Sequence, residues 1–91
     1  MDQGLCVPSA NVTASLHERG MVLMDVSRGR LFAANLTGAR IWRALELRQP
    51  LGVIAAGISR RHGIPLAEAE MCTAQFVAAL AAQNLISTVD A

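Results

Sequence analysis

Between Met21 and Trp42 the apolar pattern changes its period, and this change constrains the chain more than any other feature. "MVLMDVS" is a continuous run of β-favouring residues. Ser27-Arg28-Gly29 then fits a three-residue hairpin loop, with Gly29 in the left-handed conformation. "RLFAA" follows as a short strand with no Pro to interrupt it. From there the period lengthens: Gly38, Ile41, Trp42 and Leu45 fall at i, i+3, i+4 and i+7, one face of a helix. The unit is a strand, a tight turn, a strand and a helix carrying the single Trp.

The flanks extend this unit. Residues 1–10 read as a flexible lead-in broken by Gly4 and Pro8. "NVTASLHERG" alternates Val12, Ala14 and Leu16 and predicts a first strand, so "MVLMDVS" is the second and Arg30 to Ala34 the third. Either Asn35 or Thr37 can cap the first helix, Thr37 with Leu36 and Ile41 as a hydrophobic staple. Pro50 suits the first turn of a second helix, whose apolar face is Leu51, Ile54, Ala55 and Ile58 and whose stop is Gly63. A third helix runs over about 65–83, with Glu68 and Glu70 in its early turns. Its predicted apolar stripe is Cys72, Phe76, Ala79 and Leu80. "LISTV" then adds a terminal strand or a clip. The reading is a single α+β domain over 11–91, winged-helix-like: a three-stranded antiparallel sheet followed by three helices, β-β-β-α-α-α.

Ninety-one residues make one domain, which buries roughly 60–65% of its unfolded surface. Hydrophobic residues are 53% of the chain, enough for one core with apolar surface left over, and such surplus marks interfaces. The eight basic residues are all Arg against seven acids, so no strong field exists for nucleic acid or an anionic membrane. "MDQGLCVPSA" lacks the basic and apolar regions of a signal peptide, and no apolar run approaches a membrane span. The expected location is the cytoplasm, with Cys6 and Cys72 as free thiols. Cys72, on the apolar stripe, is expected to be buried.

A winged helix commonly binds DNA through its third helix. From Ile64 to Ala91 there is no Arg or Lys, and Glu68 and Glu70 would face phosphates. The basic residues lie earlier, at Arg40, Arg43, Arg48, Arg60 and Arg61. Nucleic acid is therefore not the expected partner. Nor is catalysis expected. His17, His62, Cys6 and Cys72 follow no CxxC, HxxxH or HExxH spacing, Glu68 and Glu70 point to different sides of a helix, and Asp25 and Glu46 have no evident partner. No metal or cofactor is implied.

What the pattern does offer is a strand edge. Arg30 to Ala34 would expose unpaired backbone groups, to which a peptide can add as a further strand. The alanines of the third helix (Ala74, Ala78, Ala79, Ala81 and Ala82) either leave room for that peptide or pack on the sheet. The same edge also permits a homodimer.

"VLMDVSRGRLFAANLTGARIWRAL" followed by "VIAAGISRRHGIPLAEAEMCTAQFVAALAAQNLI" resembles the PqqD-like family. The resemblance rests on Asp25, Gly29, Phe32, Asn35, Leu36, Ile41, Trp42, Phe76, Leu80, Leu85 and Ile86, and covers about residues 12 to 87. It implies a recognition element for the leaders of ribosomally made, modified peptides, without catalysis of its own. In such an element the leader of a precursor peptide adds antiparallel to the third strand and lies against the third helix. The domain then presents it to a processing enzyme. The wording "GRLFAANLTGARIW" is nearer the lasso-peptide branch, whose partner is a leader peptidase. It lacks the "P-E" element of the pyrroloquinoline quinone branch, a peptide chaperone that works with a radical enzyme; that chaperone and a DNA-binding regulator are the alternatives.

The expected peptide-binding residues are Arg30, Leu31, Phe32, Ala33 and Ala34 on the strand and Cys72, Gln75, Phe76 and Ala79 on the helix. Only one of Leu31 and Phe32 can face the groove, because side chains alternate along a strand. Arg28 and Arg30 are placed to meet acidic leader residues. Trp42, Ile41, Leu45 and Phe76 are assigned to the core.

Overall fold

The computed structural model describes residues 5–89. Its elements are β1 (Leu5–Pro8), β2 (Val12–His17), β3 (Gly20–Asp25), β4 (Arg30–Asn35), α1 (Leu36–Glu46), α2 (Leu51–His62), α3 (Leu66–Ala82) and β5 (Ile86–Val89). The three central strands form an antiparallel sheet in the order β2-β3-β4, followed by three helices, as the sequence reading expects. The third strand of that reading is β4.

One difference concerns the lead-in. Leu5–Pro8 pair antiparallel with Ile86–Val89, and Cys6 is buried in the core. Ser9 secures the junction: its N–H donates to the Leu85 carbonyl at 2.9 Å and its hydroxyl to that of Asn84 at 3.0 Å. Pro8 is the last residue of this strand rather than a break before it, and the strand's partner lies at the far end of the chain, out of reach of any local pattern. The part of the expected lead-in before Leu5 lies outside the described residues.

The sheet presents one face to the helices. The register places Leu16 opposite Met21 and Ala14 opposite Leu23 across β2 and β3, then Met21 opposite Ala34 and Leu23 opposite Phe32 across β3 and β4. α1 lies on this face. Its stripe of Gly38, Ile41, Trp42 and Leu45 is buried as the period predicts, with Ala39 beside it. Ile54, Ala55 and Ile58 of α2 complete the centre. Gly63 ends α2 in the left-handed conformation, φ 64°.

The stripe of α3 differs from the expected one. Its buried residues are Ala69, Thr73 and Leu80, with Phe76 and Val77 packed against the core. Cys72 and Ala79 are exposed. At about 100° per residue, the run 69-73-76-80 is a narrower helical face than 72-76-79-80, and Cys72 and Ala79 fall on its flank. Thr73 occupies a core position because its hydroxyl donates to the Ala69 carbonyl at 2.8 Å, which satisfies it within the helix. A hydroxyl at that position hides the true stripe from a hydropathy reading.

The hairpin loop is four residues long, Val26 to Gly29, rather than three, and Gly29 takes φ 65° as expected. Asp25 organises it. One carboxylate oxygen accepts from the Ser27 hydroxyl (2.8 Å), the Ser27 N–H (3.1 Å) and the Arg28 N–H (3.3 Å). The Asp25 carbonyl also accepts from the Gly29 N–H at 2.8 Å. The hydrogen bond from the Ser27 hydroxyl, then those of the backbone and the Arg28 charge, hold the Asp25 carboxyl below its usual range against the opposing effect of burial. A carboxylate whose pKa is depressed in the folded state contributes stability above its unfolded pKa and loses it as pH falls through the folded value. The loop is thus expected to weaken below roughly pH 4. In Asp25→Asn this acid-induced step should shrink and stability at neutral pH should fall. Thermal unfolding across pH checks both, and an unchanged acid profile would show that Asp25 does not set it.

Candidate functional site

β4 is an edge strand: β3 pairs with it on one side, and no described strand lies on the other. In an antiparallel ladder, alternate residues turn both backbone groups toward the partner strand, so half of β4 turns its N–H and C=O groups outward. Phe32 and Ala34 point to the helix side and are half-buried, whereas Arg30, Leu31 and Ala33 are exposed. Leu31, 70% exposed, sits across from Met24 on the opposite face of the sheet. Phe32 is therefore the residue that faces the helices.

β4 runs directly into α1, and Asn35 makes the join. Its side-chain oxygen accepts from the Gly38 N–H at 2.9 Å, so Asn35 rather than Thr37 is the cap. Such a cap stabilises a helix by about 1 kcal/mol. With the helix starting at Leu36, the Leu36–Ile41 staple does not form, and Leu36 stays 45% exposed. The cap also sets the direction in which α1 leaves the sheet edge.

Across from this join runs α3. Phe32 and Phe76 meet edge to face, with ring centroids 6.2 Å apart and planes at 68°. Gly38 lets them do so. A Cβ at that position would lie 2.8 Å from the Phe76 ring and 3.0 Å from the Ala34 Cβ. Beside this contact opens a groove of about 420 Å³, lined by Asn35, Thr37, Gly38 and Ile41 on one wall and Cys72, Gln75 and Phe76 on the other. Two amides, a hydroxyl and a thiol are its polar groups, and no charged side chain lines it. An apolar wall with a few neutral polar groups suits an uncharged side chain.

Of the nine expected site residues, Cys72, Gln75 and Phe76 come together in this lining. Phe32 and Ala34 border it through Phe76 and Gly38. Arg30, Leu31 and Ala33 lie along β4 but outside the lining, and Ala79 lies outside it on α3. The sequence reading omits the α1 wall of Asn35, Thr37, Gly38 and Ile41. Its signal is a cap followed by a glycine on the buried face, which reads as packing until the helix is seen to abut the strand edge. Among the described residues, no three of His, Cys, Asp and Glu are grouped to hold a metal ion. No described helix is long and apolar enough to cross a membrane.

Residues 20–86 match the family model of coenzyme PQQ synthesis protein D (PqqD). No curated protein matches. Two solved structures are similar. The first is TbiB1 in complex with the TbiA(beta) leader peptide: identity is 25%, the TM-score is 0.83, and the match covers 89% of this chain and 94% of that one. The second is lasso peptide synthetase B1 complexed with the leader peptide: identity is 21%, the TM-score is again 0.83, and coverage is 90% and 96%. At that identity the second likeness concerns the fold alone.

Proposed function

The chain belongs to the PqqD family, and from that premise we propose that it captures the leader segment of a precursor peptide and presents it to a processing enzyme, a leader peptidase of lasso-peptide biosynthesis. The leader adds as an antiparallel strand to the open edge of β4 and lays a side chain into the groove against α3. The observation that carries this reading is the juxtaposition of an unpaired strand edge with an uncharged groove at the same place in the fold. The similarity to TbiB1, whose structure holds a leader peptide, supports it.

The energetics assign roles. Four or five backbone hydrogen bonds at about 1 kcal/mol net each do not reach the −8 to −12 kcal/mol of micromolar-to-nanomolar binding. Side chains seated beside Phe32, Phe76 and Ile41 supply the remainder by apolar burial. Backbone pairing sets the direction of the peptide, and the groove sets its register. Catalysis belongs to the partner, since the role given to this chain is to hold and orient.

Fluorescence polarisation with a labelled leader segment from the host's own lasso precursor tests the proposal. Saturable binding at micromolar or lower Kd is expected. The family model's own description favours a second reading, a peptide chaperone in pyrroloquinoline quinone synthesis. Binding of the quinone precursor peptide in place of the lasso leader would establish that reading instead.

A further inference from the structure

A cavity of about 490 Å³, larger than the groove, opens at the opposite edge of the sheet between β2 and α1. We propose, resting on the leader-capture reading above, that this face docks the enzyme that acts on the captured peptide, through apolar side chains framed by carboxylates on that enzyme.

The face exists because α1 covers only part of the sheet. Ala14 and Leu16 of β2 point the same way as Leu23 and Met21, to which they are paired. α1 buries those two to 0% and 4% exposure but leaves Leu16 at 75%. Leu36 stands across the gap, also exposed. A leucine on the inward side of a sheet and left in water is an uncovered piece of core face.

The rim carries a net positive charge. Arg40 and Arg43 line this cavity together with Glu46. An adjoining cavity of about 250 Å³ shares both arginines and adds Arg61. Glu46, the acid in these linings, is paired with Arg43 at 3.7 Å, and the Arg40 guanidinium donates to the His62 Nε2 at 3.3 Å. Arg40 and Arg61 are thus left without an anionic partner among the described side chains. An apolar floor with a guanidinium rim is complementary to an apolar surface edged by carboxylates. A second copy of this chain is a poor occupant, since a two-fold contact through this face would set its arginines against their own copies.

The position of the face fits a bridging role. Leu36, Arg40 and Arg43 fall on one flank of α1, and Thr37, Gly38 and Ile41 on the other, nearly half a turn away at about 100° per residue. The β2–α1 face and the β4–α3 groove share no lining residue and use opposite sheet edges. Peptide and enzyme can therefore be held at once, with α1 between them.

The test uses the full chain, a labelled lasso leader segment and the purified leader peptidase of the same host. Leu16→Asp and the double variant Arg40→Glu/Arg43→Glu are compared with the unaltered protein. Expected is a loss of about tenfold or more in affinity for the peptidase, with leader affinity held within roughly twofold. Peptidase binding should also weaken as salt is raised. Unchanged peptidase binding in both variants would overturn the proposal, as would parallel loss of leader and peptidase. So would sedimentation showing a dimer that both variants dissociate, which would assign the face to self-association. If the unaltered protein binds the peptidase but not the leader, the leader-capture reading fails and takes this inference with it. If it binds the leader but not the peptidase, this inference alone fails.

Discussion

Gly20→Ala is expected to cost about 3 kcal/mol of unfolding free energy, the upper end of the overpacking range. Gly20 opens β3 and pairs with Asn35 at the end of β4. A Cβ at this position would run into the Ala34 carbonyl oxygen, and it would lie 3.1 Å from both the Ala34 carbonyl carbon and the Asn35 Cα. All three are backbone atoms in a paired strand, so no side-chain rotation relieves the clash. The strand must move, and its movement carries Asn35, the cap of α1, with it. Stability and peptide capture should therefore fall together. Urea unfolding measures the first: the midpoint should drop while the slope, which reports the surface exposed on unfolding, stays constant. A cost below about 1 kcal/mol would show that the end of β4 yields easily, and the rigid-edge picture of the site would then be wrong.

Much of this fold is legible locally because adjacent segments of the chain carry its decisive contacts. The hairpin, the αL glycine at 29 and the buried stripe of α1 all follow from periods and turn chemistry within about ten residues. The β1–β5 pair does not, since Cys6 and Thr88 meet only after the whole chain has folded. The loop length is hidden for a different, local reason. Turn propensity points to Ser27-Arg28-Gly29, whereas the Asp25 carboxylate reaches forward to the Ser27 and Arg28 N–H groups and draws Val26 into the loop.

For the site, the strand edge and the flank of Cys72 and Gln75 were both readable. The α1 wall was not, because Gly38 and Ile41 have ordinary core signatures. Their second role appears only when the cap at Asn35 turns α1 against Phe76. Cys72 shows the converse. Its apolar character predicted burial, but the core position one residue later is taken by Thr73, whose hydroxyl is satisfied within the helix.

The aromatic contact between Phe32 and Phe76 separates the two faces on which a bound leader could rest. A strand added to β4 would place alternate side chains on the helix side, beside Phe76, and on the outer side, beside Leu31. The helix side is concave and flanked by buried residues, whereas Leu31 stands in water. Contacts that exclude water dominate binding energies. Phe76→Ala is accordingly expected to weaken leader affinity by roughly 30-fold, about 2 kcal/mol. Leu31→Ala loses only a cross-strand neighbour and should cost no more than about fivefold. Phe76 is also part of the core margin, so its removal should lower stability as well, by less than the 3–5 kcal/mol typical of a fully buried Phe. Phe76→Leu distinguishes the two effects. It keeps an apolar side chain, should cost under about 1.5 kcal/mol in stability, and should still weaken binding because the ring that meets Phe32 is gone. If Phe76→Leu bound the leader like the unaltered protein while Leu31→Ala lost it, the peptide would lie on the outer face of the sheet, and the groove beside α3 would have another occupant.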